Sequence, residues 1–185
     1  MRKLIYSMGV SLDGFIAAPD GDIGWAAPDE EVHRFHNEQT REIVGHLCGR
    51  RLYQTMLSWE TTDEAHFGPV ELEFARIWKA IPKVVFSTTL ATVEGNARLA
   101  SDGLATEVAN FKNQPGEGVV SIGGAGLSAD AVRLDLVDEF RLFISPVVLG
   151  GGTPFFPPLD HRLNLELMET RKFGAGVVYV RYQRA

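Results

Sequence analysis

Three glycines crowd the stretch "SIGGAGLSAD", between a β-branched run and a helix start. Gly124, Gly126 and Ala129 match the spacing G-x-G-x-x-G/A, by which a strand–turn–helix unit lays its backbone against a diphosphate. The rest of that fingerprint is missing. The acid expected about 20 residues on, at the end of the next strand, falls in "FISPVVLGGG", which has none. No Gly-Lys-Ser/Thr follows, so a P-loop is excluded. The turn keeps its own chemistry. Glycines let a ligand approach the backbone closely. A helix opening near Leu127 or Ser128 turns unpaired N–H groups and a positive dipole end toward an anion. Taken alone, the stretch fits a phosphate cradle and a tight strand-to-helix turn equally well.

Other residues point the same way. In "CGRRLYQTM", Gly49 precedes Arg50 and Arg51 at the opening of a helix. Cations there oppose the helix dipole, and a bound anion would remove the conflict, since guanidinium groups bind phosphate in a bidentate way; a plain solvated arginine pair is the alternative. In "VVFSTTL", Ser87 and Thr88 fall where a buried strand ends, the place where open α/β sheets bind ligands. Asp13, in "SLDG", either faces a substrate or serves an Asp-Gly turn. Glu30 and Glu31 sit in an acidic helix start, where the dipole alone accounts for them. His33 and His36 lack a third metal ligand and read as surface residues, so no metal site is expected. Trp25, Phe155 and Phe156 read as core or lid packing.

These residues need elements to hold them. Lys3–Val10 reads as a buried first strand, and "SLDGFIAAPDGDIGW" as turns. "DEEVHRFHNEQTREIVGHL" reads as one helix with Val32, Phe35, Ile43 and Leu47 on one face. A helix starts at "RLYQTML", and another, with Pro69 in its first turn, spans "PVELEFARIWKAI". "KVVFS", "NARLAS" and "GVVSI" are strands, while "LATEVANFK" and "LSADAVRLDL" are helices. "DEFRLFISPVVL" is a long strand in which Pro146 forces an edge, a bulge or an end. "RLNLELMETRKF" and "GVVYVRYQR" form a closing hairpin. Alternating strands and helices imply parallel neighbours with helices on both faces. The expected fold is therefore an α/β three-layer sandwich around a mixed, mostly parallel sheet, with a C-terminal antiparallel hairpin.

The 185 residues imply a single domain spanning 1–185. A net charge of −6, with no dense basic block, argues against nucleic acid. The single cysteine, Cys48, excludes an intrachain disulfide and suits a reducing compartment. No apolar run approaches the ~20 residues of a membrane span. A cytoplasmic protein without membrane or nucleic-acid partners is expected.

Several segments together resemble the dihydrofolate reductase superfamily. They are "SLDGFIA", Trp25 before an acidic helix, "GRRLY", "VVFST", "SIGGAGL" and "FISPVVLGGGTPFF". The similarity is strongest to stand-alone relatives of the C-terminal reductase domain of the bifunctional riboflavin-biosynthesis protein. The resemblance implies a dihydrofolate reductase-like fold and an NADPH site. It assigns Gly49, Arg50 and Arg51 to the cofactor's phosphates, Ser87 and Thr88 to its adenosine part, and Gly123, Gly124, Ala125, Gly126 and Leu127 to its diphosphate. Ile16 and Ala17 are implied beside the nicotinamide. Dihydrofolate reductases carry one carboxylate on the first helix; spacing from Pro28 favours Glu30, and spacing back from Phe35 favours Glu31. The riboflavin-pathway reductases share "SLDG" but lack the Gly-Arg-Arg start, so the chain mixes both patterns.

The expected activity is hydride transfer from NADPH to an imine-like or carbonyl carbon of a small pteridine- or aminopyrimidine-type heterocycle. The enzyme would be an oxidoreductase of the CH–NH or CH–OH class, resembling 5-amino-6-(5-phosphoribosylamino)uracil reductase or dihydrofolate reductase. Asp13, Glu30, Glu31 or water would deliver the proton. The rivals are a non-catalytic nucleotide-binding or regulatory module of the same fold, and an interaction protein whose glycines are only turns. Relatives of this kind often dimerise, and apolar side chains near a sheet edge imply a homodimer.

Overall fold

The computed structural model describes all 185 residues. The elements run β1 (Leu4–Ser11), β2 (Phe15–Ala17), α1 (Glu30–Thr40), β3 (Ile43–Gly49), α2 (Arg50–Met56), α3 (Ser58–Thr61), α4 (Pro69–Ala80), β4 (Lys83–Phe86) and β5 (Ala97–Leu99). They continue with α5 (Leu104–Lys112), β6 (Val119–Gly123), α6 (Ala125–Arg133), β7 (Glu139–Ser145), β8 (Thr153–Pro154), β9 (Leu165–Lys172) and β10 (Val178–Arg184). The central sheet has eight strands in the order β5-β4-β3-β6-β1-β7-β10-β9. From β5 to β7 every pairing is parallel, and β10 pairs antiparallel with both β7 and β9. A separate small antiparallel sheet joins β2 to β8.

Strand alternation divides the apolar residues between two faces. Tyr6, Leu47, Val84, Ile122 and Phe140 pack with Val108 and Phe111 of α5 and Ala131 and Val132 of α6. The opposite face receives Val32 and Phe35 of α1 on Phe143 and Tyr179, and Trp78 of α4 with Tyr53 of α2 on Cys48 and Val85. The sheet is thus covered on both sides, as expected of parallel strands.

Two expectations need correction, and a third is narrowed. The long helix over residues 29–47 is two elements. Asp29 caps α1 by accepting from the Val32 N–H at 2.9 Å, and the helix stops at Thr40. Ile43 and Leu47 repeat at helical spacing but belong to β3, the strand between β4 and β6. Its β-branched start favours a strand, and Gly45 lies under the Phe111 ring, where a side chain would collide. Of the alternatives at Pro146 the structure takes the end: β7 stops at Ser145, and it lies inside the sheet between β1 and β10, with β9 at the edge. Finally, α6 opens at Ala125 rather than at Leu127 or Ser128, with Gly124 as its N-cap.

One buried cation joins helix to sheet beside the strand ends. Lys83 opens β4 and is 2% exposed. Its ammonium group donates to the carbonyls of Trp78 at 2.7 Å and Ile81 at 2.9 Å, and lies 2.7 Å from a Glu60 carboxylate oxygen of α3. Removing one partner of such a pair strands the other charge away from water. Lys83→Met is expected to cost about 3–5 kcal/mol, seen as a lower urea midpoint, and Lys83→Met with Glu60→Leu to recover part of the loss. An unchanged midpoint in the single variant would show that the pair does not hold α3 in place.

Candidate functional site

The parallel strands all end at one edge of the sheet, and every cofactor-side residue named from the sequence gathers there. β3 and β6 are neighbours, yet their helices leave on opposite faces: Tyr53 of α2 packs on one side and Ala131 and Val132 of α6 on the other. Between two such diverging connections an open α/β sheet has its crevice. The two turns touch. A Cβ on Gly124 would lie 3.1 Å from the Gly49 Cα and 3.2 Å from its nitrogen, and Gly124 holds φ 98°, ψ 121°. L-residues rarely adopt that conformation, so this glycine is needed by the fold itself.

A groove of about 380 Å³ opens over the turns, lined by Gly49, Arg50, Arg51, Gly124, Ala125, Gly126 and Leu127, with Phe86 and Asp130 at its sides. It continues past Arg50 onto Ser87, Thr88 and Thr89. Gly123 closes the strand beneath, buried against Leu52. Neither helix start has a side-chain cap, and no protein group accepts from the N–H of Ala125, Gly126 or Leu127. Most of the chain's 18 Lys and Arg residues are ion-paired, but Arg50 and Arg51 are exposed and have no carboxylate partner. The groove's one acid, Asp130, meets Arg133 at 3.2 Å. Free guanidinium groups, bare helix-start N–H groups and open space suit a polyanion. At Gly126 a Cβ would meet nothing within 4 Å. The fold has no use for a glycine there, whereas a ligand lying in the groove would.

Ser87 accepts from the N–H groups of Thr89 at 3.1 Å and Leu90 at 3.0 Å, forming a turn that presents Thr88 to solvent. Arg50 donates to the Thr89 hydroxyl at 3.3 Å. Sequence reasoning missed Thr89, although it belongs to the same "STT" run.

A second cleft of about 390 Å³ opens over β1 and β7. Ile16 enters it as a buried side chain with Met8, Val32 and Phe143, and the loop over residues 23–28 forms one wall. Ala17, half-buried, pairs with Thr153 of β8. Trp25 donates to the Asp22 carbonyl at 3.1 Å and lies outside the lining, while Phe155 is core, stacked on Tyr6 at 4.2 Å.

None of the three acids lines this cleft. Asp13 is a latch: it accepts from the Ser11 hydroxyl at 2.7 Å and from the N–H groups of Leu149 at 3.1 Å and Gly150 at 2.7 Å. Those bonds, the Ser11 hydroxyl foremost, hold its carboxyl below the usual range, so it is a poor proton donor. Glu30 pairs with Arg34 at 2.5 Å, and Glu31 accepts from the Gly174 N–H at 3.0 Å.

The histidines turn inward, against expectation. α1 packs on the sheet with α4 alongside it on the same face, so positions three apart both meet protein. His33 packs edge-on to Phe74 and Trp59, and His36 stacks on Phe143 with ring centres 3.9 Å apart. His36 lines the cleft, and burial, with His33 nearby, pushes its imidazole down to about 4. The helical spacing was visible in the sequence, but nothing there showed that both faces of α1 are covered.

The fold is shared with known proteins. The family model of the RibD C-terminal domain matches residues 2–179. The uncharacterized protein YyaP of Bacillus subtilis (strain 168) is 34% identical over 184 residues, covering 98% of this chain and 94% of its own length. Among solved structures, a putative riboflavin biosynthesis protein from Shewanella sp. PV-4 superposes with TM-score 0.78 at 23% identity, covering 100% and 99% of the two chains. The dihydrofolate reductase of Enterococcus faecalis, complexed with NADP(H), gives TM-score 0.62 at 17% identity over 98% and 96%. These superpositions establish the dihydrofolate reductase-like fold.

The two glycines of the groove differ in what they answer to, and substitution separates them. Gly124→Val introduces both a disfavoured φ and a collision with Gly49, and is expected to cost about 2 kcal/mol or more. Gly126→Val points into open space and is expected to stay within about 1 kcal/mol of the parent. Thermal melting of both variants checks the pair, and equal destabilisation would contradict it.

Proposed function

Because the chain belongs to the RibD C-terminal domain family, we propose that it is an NADPH-dependent reductase of a small pteridine- or aminopyrimidine-type heterocycle. The carrying observation is the groove where the unpaired Arg50 and Arg51 face the bare N–H groups of the Gly124 turn. The dihydrofolate reductase of similar fold was solved with NADP(H). The deaminase/5-amino-6-(5-phosphoribosylamino)uracil reductase of Thermotoga maritima shares the fold at TM-score 0.66 and 17% identity, this chain covering 57% of it.

In this reading Arg50 and Arg51 hold the cofactor's 2′-phosphate, and Gly49 lets it approach. Ser87 and Thr88, joined by Thr89, receive the adenosine part. The N–H groups from Gly123 to Leu127 receive the diphosphate. Ile16 and Ala17 flank the nicotinamide side, next to the apolar cleft. When bound, NADPH supplies the hydride, while the protein orients donor and acceptor. With Asp13, Glu30 and Glu31 engaged elsewhere, water delivers the proton.

A charge-assisted hydrogen bond contributes about 1.5–3 kcal/mol. Arg50→Ala is therefore expected to weaken NADPH by about 10- to 150-fold while leaving NADH almost unchanged. Fluorescence titration with both cofactors measures this, and equal losses would remove Arg50 as the reader of the 2′-phosphate. Gly126→Val is expected to melt like the parent yet lose NADPH.

We also propose a homodimer. The edge strand β9 leaves Leu167 52% and Met168 43% exposed, and sheet edges are usually covered or paired. Sedimentation velocity at micromolar protein is expected to show a dimer that Leu167→Lys weakens; a parent that sediments as a monomer would end the idea.

A further inference from the structure

The apolar cleft has an unusual charge inventory. Its lining contains no lysine, arginine, aspartate or glutamate, and its one titratable side chain is His36. That imidazole is neutral near pH 7, because burial opposes its protonation. Neither ring nitrogen has a partner in the protein; the one side chain that bonds to this residue is the Thr40 hydroxyl, which donates to its backbone carbonyl. A neutral imidazole offers one donor and one acceptor, and here both are left for whatever enters. Phe143, stacked on the ring, keeps its plane in place.

The cleft continues under α1 into a smaller cavity of about 270 Å³ that shares Met8 and His36 with it. That cavity contains Arg141, but this cation is already engaged. It donates to Glu139 at 2.7 Å and to Gln39 at 2.5 Å, and Glu42 lies 3.3 Å away. An anionic group in either space would lose its water and find no free cation, a net cost. The uracil compound in the Thermotoga maritima protein's name carries a phosphoribosyl arm; this cleft has nothing to hold one.

We propose that the cleft takes an uncharged, flat heterocycle bearing no phosphate, recognised in its ring plane by the donor and acceptor of His36. A space of this size suits one bicyclic ring or a single ring with short substituents. The proposal rests on the reading of the cleft as the substrate site, but it concerns ring binding and can be tested apart from the cofactor.

Isothermal titration of the full chain with 6-hydroxymethylpterin, its phosphate monoester and 5,6-diaminouracil, each without cofactor, decides it. At least one neutral ring is expected to bind, and the pterin about tenfold or more tighter than its phosphate ester. His36→Phe keeps the stacking and is expected to weaken the ring about 5- to 10-fold, with unchanged NADPH titration and melting. His36→Gln, which retains a donor and an acceptor, is expected to recover most of that loss. The proposal is overturned if neither ring binds, if the phosphate ester binds as well as the alcohol, or if His36→Phe binds as tightly as the parent. The ligand comparison on the parent stands whether or not the variants fold. A failed NADPH titration beside a bound pterin would count against the cofactor reading alone.

Discussion

The contact between Gly49 and Gly124 sets the geometry on which the site depends. Two neighbouring parallel strands each turn into a helix at the same level, and the turns meet backbone to backbone. A side chain at Gly124 would push them apart and tilt both helices. Because the turns touch, the start of α2 brings Arg50 and Arg51 beside the bare N–H groups of α6, and a single groove faces both. The net charge of −6 does not cancel this local field. At physiological salt, charges more than about 8–10 Å apart are largely screened, so the two unpaired guanidinium groups govern what the groove attracts.

Groove and cleft differ in chemistry. The groove is polar, cationic and shallow, made of backbone and exposed side chains. The cleft is apolar and carries one neutral imidazole. Ile16 lines the cleft, and Ala17, next to it in the chain, pairs with Thr153 of β8. This loop is tied down by Asp13, whose carboxylate spans the turn after β1 and the backbone at Leu149 and Gly150. A residue whose position in "SLDG" allowed a substrate-facing role instead keeps the loop that lines the cleft in register.

Much of this was legible in the sequence, for identifiable reasons. Gly-Gly between a β-branched run and a helix, and Gly-Arg-Arg at a helix start, carry strong local rules, and both lie where those rules put them. The strand-to-helix order was readable for the same reason. The failures came where tertiary packing overrides a local pattern. Ile43 and Leu47 repeat at helical spacing, yet the sheet needs a strand between β4 and β6, and β3 fills that place. His36 looked like a surface residue because the sequence does not say that its side of α1 rests on Phe143 of β7. Pro146 marks the end of β7, but its position inside the sheet depends on β10, a partner more than thirty residues away.

That distant pairing bears on how the chain reaches its fold. β10 comes after β9 in the chain, yet in the sheet it sits between β7 and β9. During synthesis, β7 can dock on β1 as soon as it emerges, but its other edge stays open until Val178–Arg184 arrives. At ~5–20 residues per second the interval is roughly 2 to 7 s. Over that time Phe140, Leu142, Phe143 and Ile144 lie on a strand with unpaired N–H and C=O groups, the kind of edge that recruits other chains. The antiparallel hairpin then closes it in one step, because β9 and β10 can pair with each other before they reach the sheet. The nascent protein is therefore most prone to aggregate late in translation, after the strands that carry the Gly49 and Gly124 turns have emerged.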